Sequence, residues 1–260
     1  MNPNQEVLIK TKQVIESFIR TLAALALAVV ASTCAVGNGK MEQSLETSAQ
    51  SGYERNGVRF IKHPVYIVDY IATLTVDDKT TVFFEIWYLD DRGARHRVDD
   101  QSEIDYVVGF TRTLPLGIEL EAGIGHIDGA PLFRKQGDML FLYAKLSKSW
   151  QIAEHHELEI FVGVDGYIPY SKSLDGGVVF YGGVKHTWHM TRDDKWSLET
   201  TLQANRHDGF FGYKPGGTMT LDMMLRYQKT EHLSFFLGGT VGREDHQTYG
   251  IARLGMSYTW

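Results

Sequence analysis

Residues 219–228 read MTLDMMLRYQ, and their order decides the fold class. Met219, Leu221, Met223, Leu225 and Tyr227 share one parity; Thr220, Asp222, Met224, Arg226 and Gln228 share the other. Successive side chains of an extended chain point to opposite faces, whereas a helix would repeat its apolar positions every 3.6 residues. The stretch is therefore predicted to be a β-strand with one apolar and one polar face. Working outward, the pattern recurs. Leu233, Phe235, Leu237 and Val241 alternate with Ser234, Gly238, Thr240 and Gly242. Trp196, Leu198 and Leu202 alternate with Ser197, Glu199, Thr201 and Gln203, and Leu158, Ile160, Val162 and Val164 with Glu157, Glu159, Gly163 and Asp165.

About eleven such segments follow residue 60, near 65–76, 80–89, 103–113, 116–127, 138–149, 156–167, 176–188, 195–205, 217–228, 232–242 and 248–260. Polar or Gly/Pro-containing links separate them. A soluble sandwich would turn the apolar faces inward; a membrane barrel turns them out to lipid. Segment length favours the barrel, because a tilted membrane strand needs roughly 9–11 residues and strands of soluble folds average about 5–6. The other face is rich in Gly, Thr, Ser and ionised groups, as a wet lumen requires. Short links (77–79, 114–115, 189–194, 229–231) alternate with long ones (90–102, 128–137, 168–175, 206–216), as periplasmic turns alternate with outer loops in bacterial barrels.

The chain ends in Leu254, Gly255, Met256, Ser257, Tyr258, Thr259 and Trp260, with apolar residues at every second place back from a terminal aromatic. This resembles the assembly signal of Gram-negative outer-membrane β-barrels, carried here by Leu254, Met256, Tyr258 and Trp260. The resemblance is to that general class and covers residues 57–260. It implies an outer-membrane location, an all-β transmembrane antiparallel up-and-down barrel, and recognition by the barrel-assembly machinery. Outer-membrane lipid and lipopolysaccharide are the expected surroundings. With Trp260 periplasmic, segment 65–76 runs downward and an upward strand must precede it; Val58–Lys62 (VRFIK) is the candidate. That gives about twelve strands, ten being the alternative, since such barrels have even numbers.

The start of the chain is of another kind. Thr21 to Val36 (TLAALALAVVASTCAV) is uncharged and mostly apolar, follows Arg20, and is too short to span a bilayer as a helix. A basic flank, an apolar core and small residues predict a secretory signal peptide over 1–35, cleaved after Ala35. An uncleaved anchor is the alternative, as is lipidation of Cys34, although Ala31-Ser32-Thr33-Cys34 lacks the usual lipobox residues. The polar stretch 36–56 is expected to be a flexible periplasmic lead-in to a barrel over 57–260.

Composition excludes several function classes. A net charge of −6 offers no general attraction for nucleic acid. The single Cys excludes an internal disulfide or a Cys-based metal cluster. No cofactor and no metal site is expected: the adjacent His155 and His156 aim apart, and no HExxH or HxxxH occurs.

The polar parity supplies the candidate lumen residues. Its acids are Asp69, Glu85, Asp105, Glu119, Glu121, Glu157, Glu159, Asp165, Glu199 and Asp222; its bases are Lys145, Lys185, Arg226 and Arg253. Ten acids against four bases suggest either a lumen filled by salt bridges and water or a pore whose field favours cations. Phe83, Trp87, Phe141, Tyr143, Phe161, Tyr181 and Phe236 share that face and would either pack the lumen or offer a solute stacking surface. The outward Tyr106, Phe110, Trp188, Trp196, Tyr227, Tyr258 and Trp260 suit interfacial girdles. The leading expectation is non-enzymatic: passive or weakly selective passage of a small solute, or a structural role. Two alternatives stay open. His126 with Asp128, or His207 with Asp208, could join Ser171 or Ser173 in a rim site that hydrolyses lipid acyl chains. Or the loops holding Arg92, Arg95 and Arg97, and Phe210, Phe211 and Tyr213, could bind a surface partner.

Overall fold

The computed structural model describes residues 40–91, 102–129, 132, 137–171, 175–209, 213–244 and 247–260. The expected signal peptide lies outside them. So do Arg92, Arg95, Arg97, Ser173, Phe210 and Phe211 of the long connections.

Twelve antiparallel strands close into a barrel. In chain order, β1 is Met41–Gln50, and two short strands, β2 (Tyr53–Arg55) and β3 (Val58–Ile61), follow it. Then come β4 (Val65–Asp77), β5 (Thr80–Asp90), β6 (Glu103–Thr113), β7 (Glu119–Gly129) and β8 (Met139–Ala153). The rest are β9 (His156–Pro169), β10 (Gly177–His189), β11 (Trp196–His207), β12 (Gly216–Gln228), β13 (Leu233–Glu244) and β14 (Gln247–Thr259). Each barrel strand pairs with its neighbours in sequence, and β1 pairs with both β4 and β14, which removes every open edge. Closure is obligatory where no water can satisfy an unpaired backbone group. Barrel strands of 10–15 residues are long enough to cross a bilayer at a tilt.

The two faces are inverted relative to a soluble protein. Leu237, Leu254 and Phe180 point outward and are 58%, 60% and 61% exposed, while Asp105 and Thr240 point inward at 4% and 7%. An apolar face of that extent is stable only against hydrocarbon. The outward aromatics cluster near the ends of strands: Trp196 packs on Tyr227 at 4.7 Å, Trp260 on Tyr258 at 5.7 Å, and Trp188 stacks on His156 at 5.9 Å near one rim. Tyr106, His126 and Tyr170 form the matching group near the other.

The rim at which the described residues begin and end carries tight turns. Asp77 Oδ1 accepts the Lys79 N–H at 2.8 Å, and Pro115–Gly117 form a single 3-10 turn in which Leu116 takes φ 66°. Gln43 and Trp260 exchange backbone hydrogen bonds of 3.1 and 2.9 Å, so the last residue seals the seam with β1. We call this the inner rim, and the opposite one, from which the long connections leave, the outer rim.

The strand count agrees with the reading of the sequence, but the identity of the first strand does not. Met41–Gln50, expected as part of a flexible lead-in, is barrel strand β1. Residues 58–62, expected as the first upward strand, are not in the barrel wall at all; 58–61 pair with β2 instead. The physical reasons are legible. The outward face of β1 is Met41, Gln43, Leu45, Thr47 and Ala49, too weakly apolar to advertise a membrane strand. Val58 and Ile61 are both fully or nearly fully buried, at 0% and 3%, because they are enclosed by protein on all sides. A strand in the wall would have left one face to lipid.

Candidate functional site

The short strands β2 and β3 form a hairpin that folds from the outer rim into the barrel. Its turn is Asn56-Gly57, with φ of 53° and 80°. Positive φ at both central residues is the geometry that Asn-Gly supplies best, and it matches the twist of a two-residue hairpin. Apolar contacts seat it. Val58 packs with the inward Ile127, Met139, Tyr167 and Val179, and Ile61 with Val65, Ile67 and Leu89. Each such fully buried aliphatic side chain contributes roughly 1.5–3 kcal/mol. Tyr213, from the expected aromatic outer loop, turns inward and meets Phe60 edge-on at 5.2 Å.

Polar contacts then fix the hairpin across the whole outer half of the lumen. Arg55 donates from one nitrogen to Glu103 Oε1 and Asp105 Oδ2 on β6, both at 2.6 Å. Asn56 Nδ2 donates to Asp165 at 3.1 Å and Tyr167 at 2.9 Å on β9. Thr218 of β12 donates to the Asn56 carbonyl at 3.1 Å, and Tyr249 of β14 to the Gly57 carbonyl at 2.7 Å. A Cβ at Gly57 would strike the Thr218 side chain, so the tip rests directly on the far wall. Glu54 accepts the Gly57 N–H at 2.6 Å, and burial pushes its carboxyl above the ordinary range against the opposing pull of that bond and of Tyr249.

Beneath the hairpin lies a cavity of about 490 Å³. Its wall carries seven carboxylates, Glu46, Glu54, Asp69, Glu85, Asp105, Glu121 and Asp165, against the two guanidiniums of Arg55 and Arg253. Tyr53, Trp87, Phe141, Tyr143 and Tyr181 supply rings. Several rings lie flat against the wall because glycines make room for them: Gly123 sits under Tyr143, Gly125 under Phe141, and Gly163 under Tyr181.

Of the candidate lumen residues, Asp69, Glu85, Asp105, Glu121, Asp165 and Arg253 line this cavity. Asp69 and Glu85 are in side-chain contact, and Glu121 contacts the Tyr143 hydroxyl. Arg253 pairs with Asp222, which also accepts from Thr240 at 2.6 Å. Arg226 lies 3.8 Å from Glu46 and 5.2 Å from the centroid of Phe236. Closer to the inner rim, Lys145 and Lys185 flank Glu159 at 3.2 and 2.8 Å, with Glu157 and Glu199 acting on Lys185 from either side. Glu119 stands exposed at the inner rim. The wall from β4 to β7 is therefore acidic, and the basic residues are spread over β8, β10, β12 and β14, with Lys145 the cross-strand neighbour of Glu121.

Glu46, Glu54 and Arg55 were missed by the reading of the sequence. The signal that could have found the hairpin was the Asn56-Gly57 dipeptide between YER and VRF. The two histidines of the alternative hydrolytic site are separated: His126 is on the outward face, 4.0 Å from Asp138, whereas His207 is on the inward face and 4% exposed.

No protein-family model matches the chain, and no curated protein matches it. Solved structures do. The NanC porin aligns with a TM-score of 0.52 at 11% identity, over 83% of this chain and 98% of that one. An outer membrane channel from Pseudomonas putida F1 aligns with a TM-score of 0.52 at 11% identity, over 85% and 96%. A bacterial polysaccharide outer membrane secretin aligns with a TM-score of 0.52 at 6% identity, over 85% and 97%. What the chain shares with them is the fold, a closed antiparallel β-barrel.

Proposed function

We propose that this protein is a channel of the bacterial outer membrane that passes small solutes slowly and favours cations. The single observation that supports this most is the cavity, about 490 Å³ in volume, with seven carboxylates against two guanidiniums. In a narrow lumen with low-dielectric walls such an imbalance raises the local concentration of cations and lowers that of anions. The hairpin narrows the outer half, so the pore is constricted rather than wide. Fold likeness to porins and channels agrees with this reading without specifying a solute.

Purified barrel in planar bilayers tests it. Under a KCl gradient the reversal potential should have the sign of cation preference. Neutralising Glu119 and Glu121 to Gln should move it toward zero. A closed barrel with no measurable ion current would end the channel reading, and an unchanged reversal potential would end the electrostatic part.

A further inference from the structure

We propose that the cavity beneath the hairpin is a binding site for a small organic cation, an alkyl diamine being the simplest, held by the carboxylates of β4 to β7 against the rings of Trp87 and Tyr143. The proposal rests on the channel reading and names the chemistry of its solute.

Charge is the first argument. Both guanidiniums in the cavity are engaged, Arg55 by Glu103 and Asp105, and Arg253 by Asp222. Among the described residues no Lys or Arg lies within ion-pair distance of Asp69, Glu85 or Glu121; Lys145, the cross-strand neighbour of Glu121, is engaged by Glu159. The cavity therefore offers acceptors in excess and no spare cation for an anionic solute. The second argument is independent of the count. Asp105 is only 4% exposed and lines the cavity; its Oδ2 takes the Arg55 guanidinium, while its Oδ1 is buried with no hydrogen-bond partner, as is the Oδ1 of the half-buried Asp69. Buried polar atoms are ordinarily satisfied, and an ammonium brings up to three donors.

The rings decide between kinds of cation. The Arg55 guanidinium lies 5.8 Å from the Trp87 centroid, so this part of the cavity already accommodates one organic cation beside a ring. An organic cation gains from such faces along its alkyl stem and its ammonium alike. A divalent metal ion instead requires a compact cage of oxygen or nitrogen ligands, and among the described residues no group of three or more His, Cys, Asp or Glu side chains is arranged to hold one. The volume lies within the roughly 300–1,000 Å³ typical of small-molecule sites. Carboxylates on successive strands can engage both ends of a short diamine.

The test uses the detergent-folded barrel with 1,5-diaminopentane as probe, and 1,5-pentanediol and glutarate as controls of equal length. Binding is read by calorimetry, and block of the KCl current in planar bilayers. The diamine should bind and reduce the current; the diol and the diacid should do neither. Glu85→Gln with Glu121→Gln should weaken diamine binding by about tenfold or more, while Glu231→Gln, in an inner turn, leaves it as it was. Retention of the heat-shifted band on gels shows that each variant has folded. Diamine binding no tighter than that of the diol, or unaltered in the double variant, overturns the proposal. Ion current without diamine binding removes the site and keeps the channel; diamine binding without ion current removes the channel and keeps the site.

Discussion

Arg55 is the residue on which the seated hairpin most depends. Its side chain and that of Glu103 are each 15% exposed, and that of Asp105 is 6% exposed. Removing the guanidinium leaves two carboxylates enclosed without a counter-charge. Arg55→Ala should therefore cost about 3 kcal/mol of hairpin seating, the low end for breaking a buried ion pair because the lumen is wet. It should appear as a higher or noisier single-channel current; a current identical to the wild type would show that the apolar contacts alone hold the hairpin. Glu54 gives the pH dependence. Burial raises its carboxyl above the ordinary value, so the seated state binds the proton more tightly than the released state. For a raised group the stabilisation is fully present below the released-state value and fades as pH rises through the seated-state value. Acidification should therefore seat the hairpin more firmly and lower the current, and Glu54→Gln should flatten that part of the pH profile. A wild-type current that grows on acidification would reverse the sign and reject the assignment.

At the scale of elements, the hairpin and β1 form one unit of meaning. The chain crosses the bilayer as β1, dips into the lumen as β2 and β3, and returns as β4. Replacing residues 52–62 by a short Gly-Ser link should leave the barrel intact, because the wall pairs β1 directly with β4 over ten residue pairs. Conductance should then rise several-fold, since the outer half of the lumen would be cleared. If conductance stayed at the wild-type level, the constriction would have to lie elsewhere. The same elements show what was legible in the chain. Strongly alternating strands such as Met219–Gln228 announce themselves, because lipid demands large apolar groups on one face. The outward face of β1 announces little, and the burial of Val58 and Ile61 could not be distinguished in sequence from an ordinary apolar strand.

At the scale of the whole molecule, the apolar face and the ionised lumen have exchanged the places they hold in a soluble protein. Extracted in detergent, the barrel should migrate faster unheated than boiled on denaturing gels, and detergent removal should precipitate it. A chain that stays monomeric in plain buffer would contradict the outward orientation of Leu237, Leu254 and Phe180. The charge layout is also a property of the whole: the charged candidate lumen residues of β4 to β7 are all acidic, and Lys145, Lys185, Arg226 and Arg253 are spread over β8, β10, β12 and β14 around the rest of the barrel. Residue parity placed every one of those side chains on the inward face, because a period of two leaves a strand only two choices. It could not say which carboxylates meet which cations across the lumen, since those distances depend on strand tilt and closure. Nor could it say that the first outer segment folds inward. That was decided by polar contacts between residues 48 to 195 positions apart, from Arg55 with Glu103 to Tyr249 with Glu54, which exist only once the barrel has closed around the hairpin.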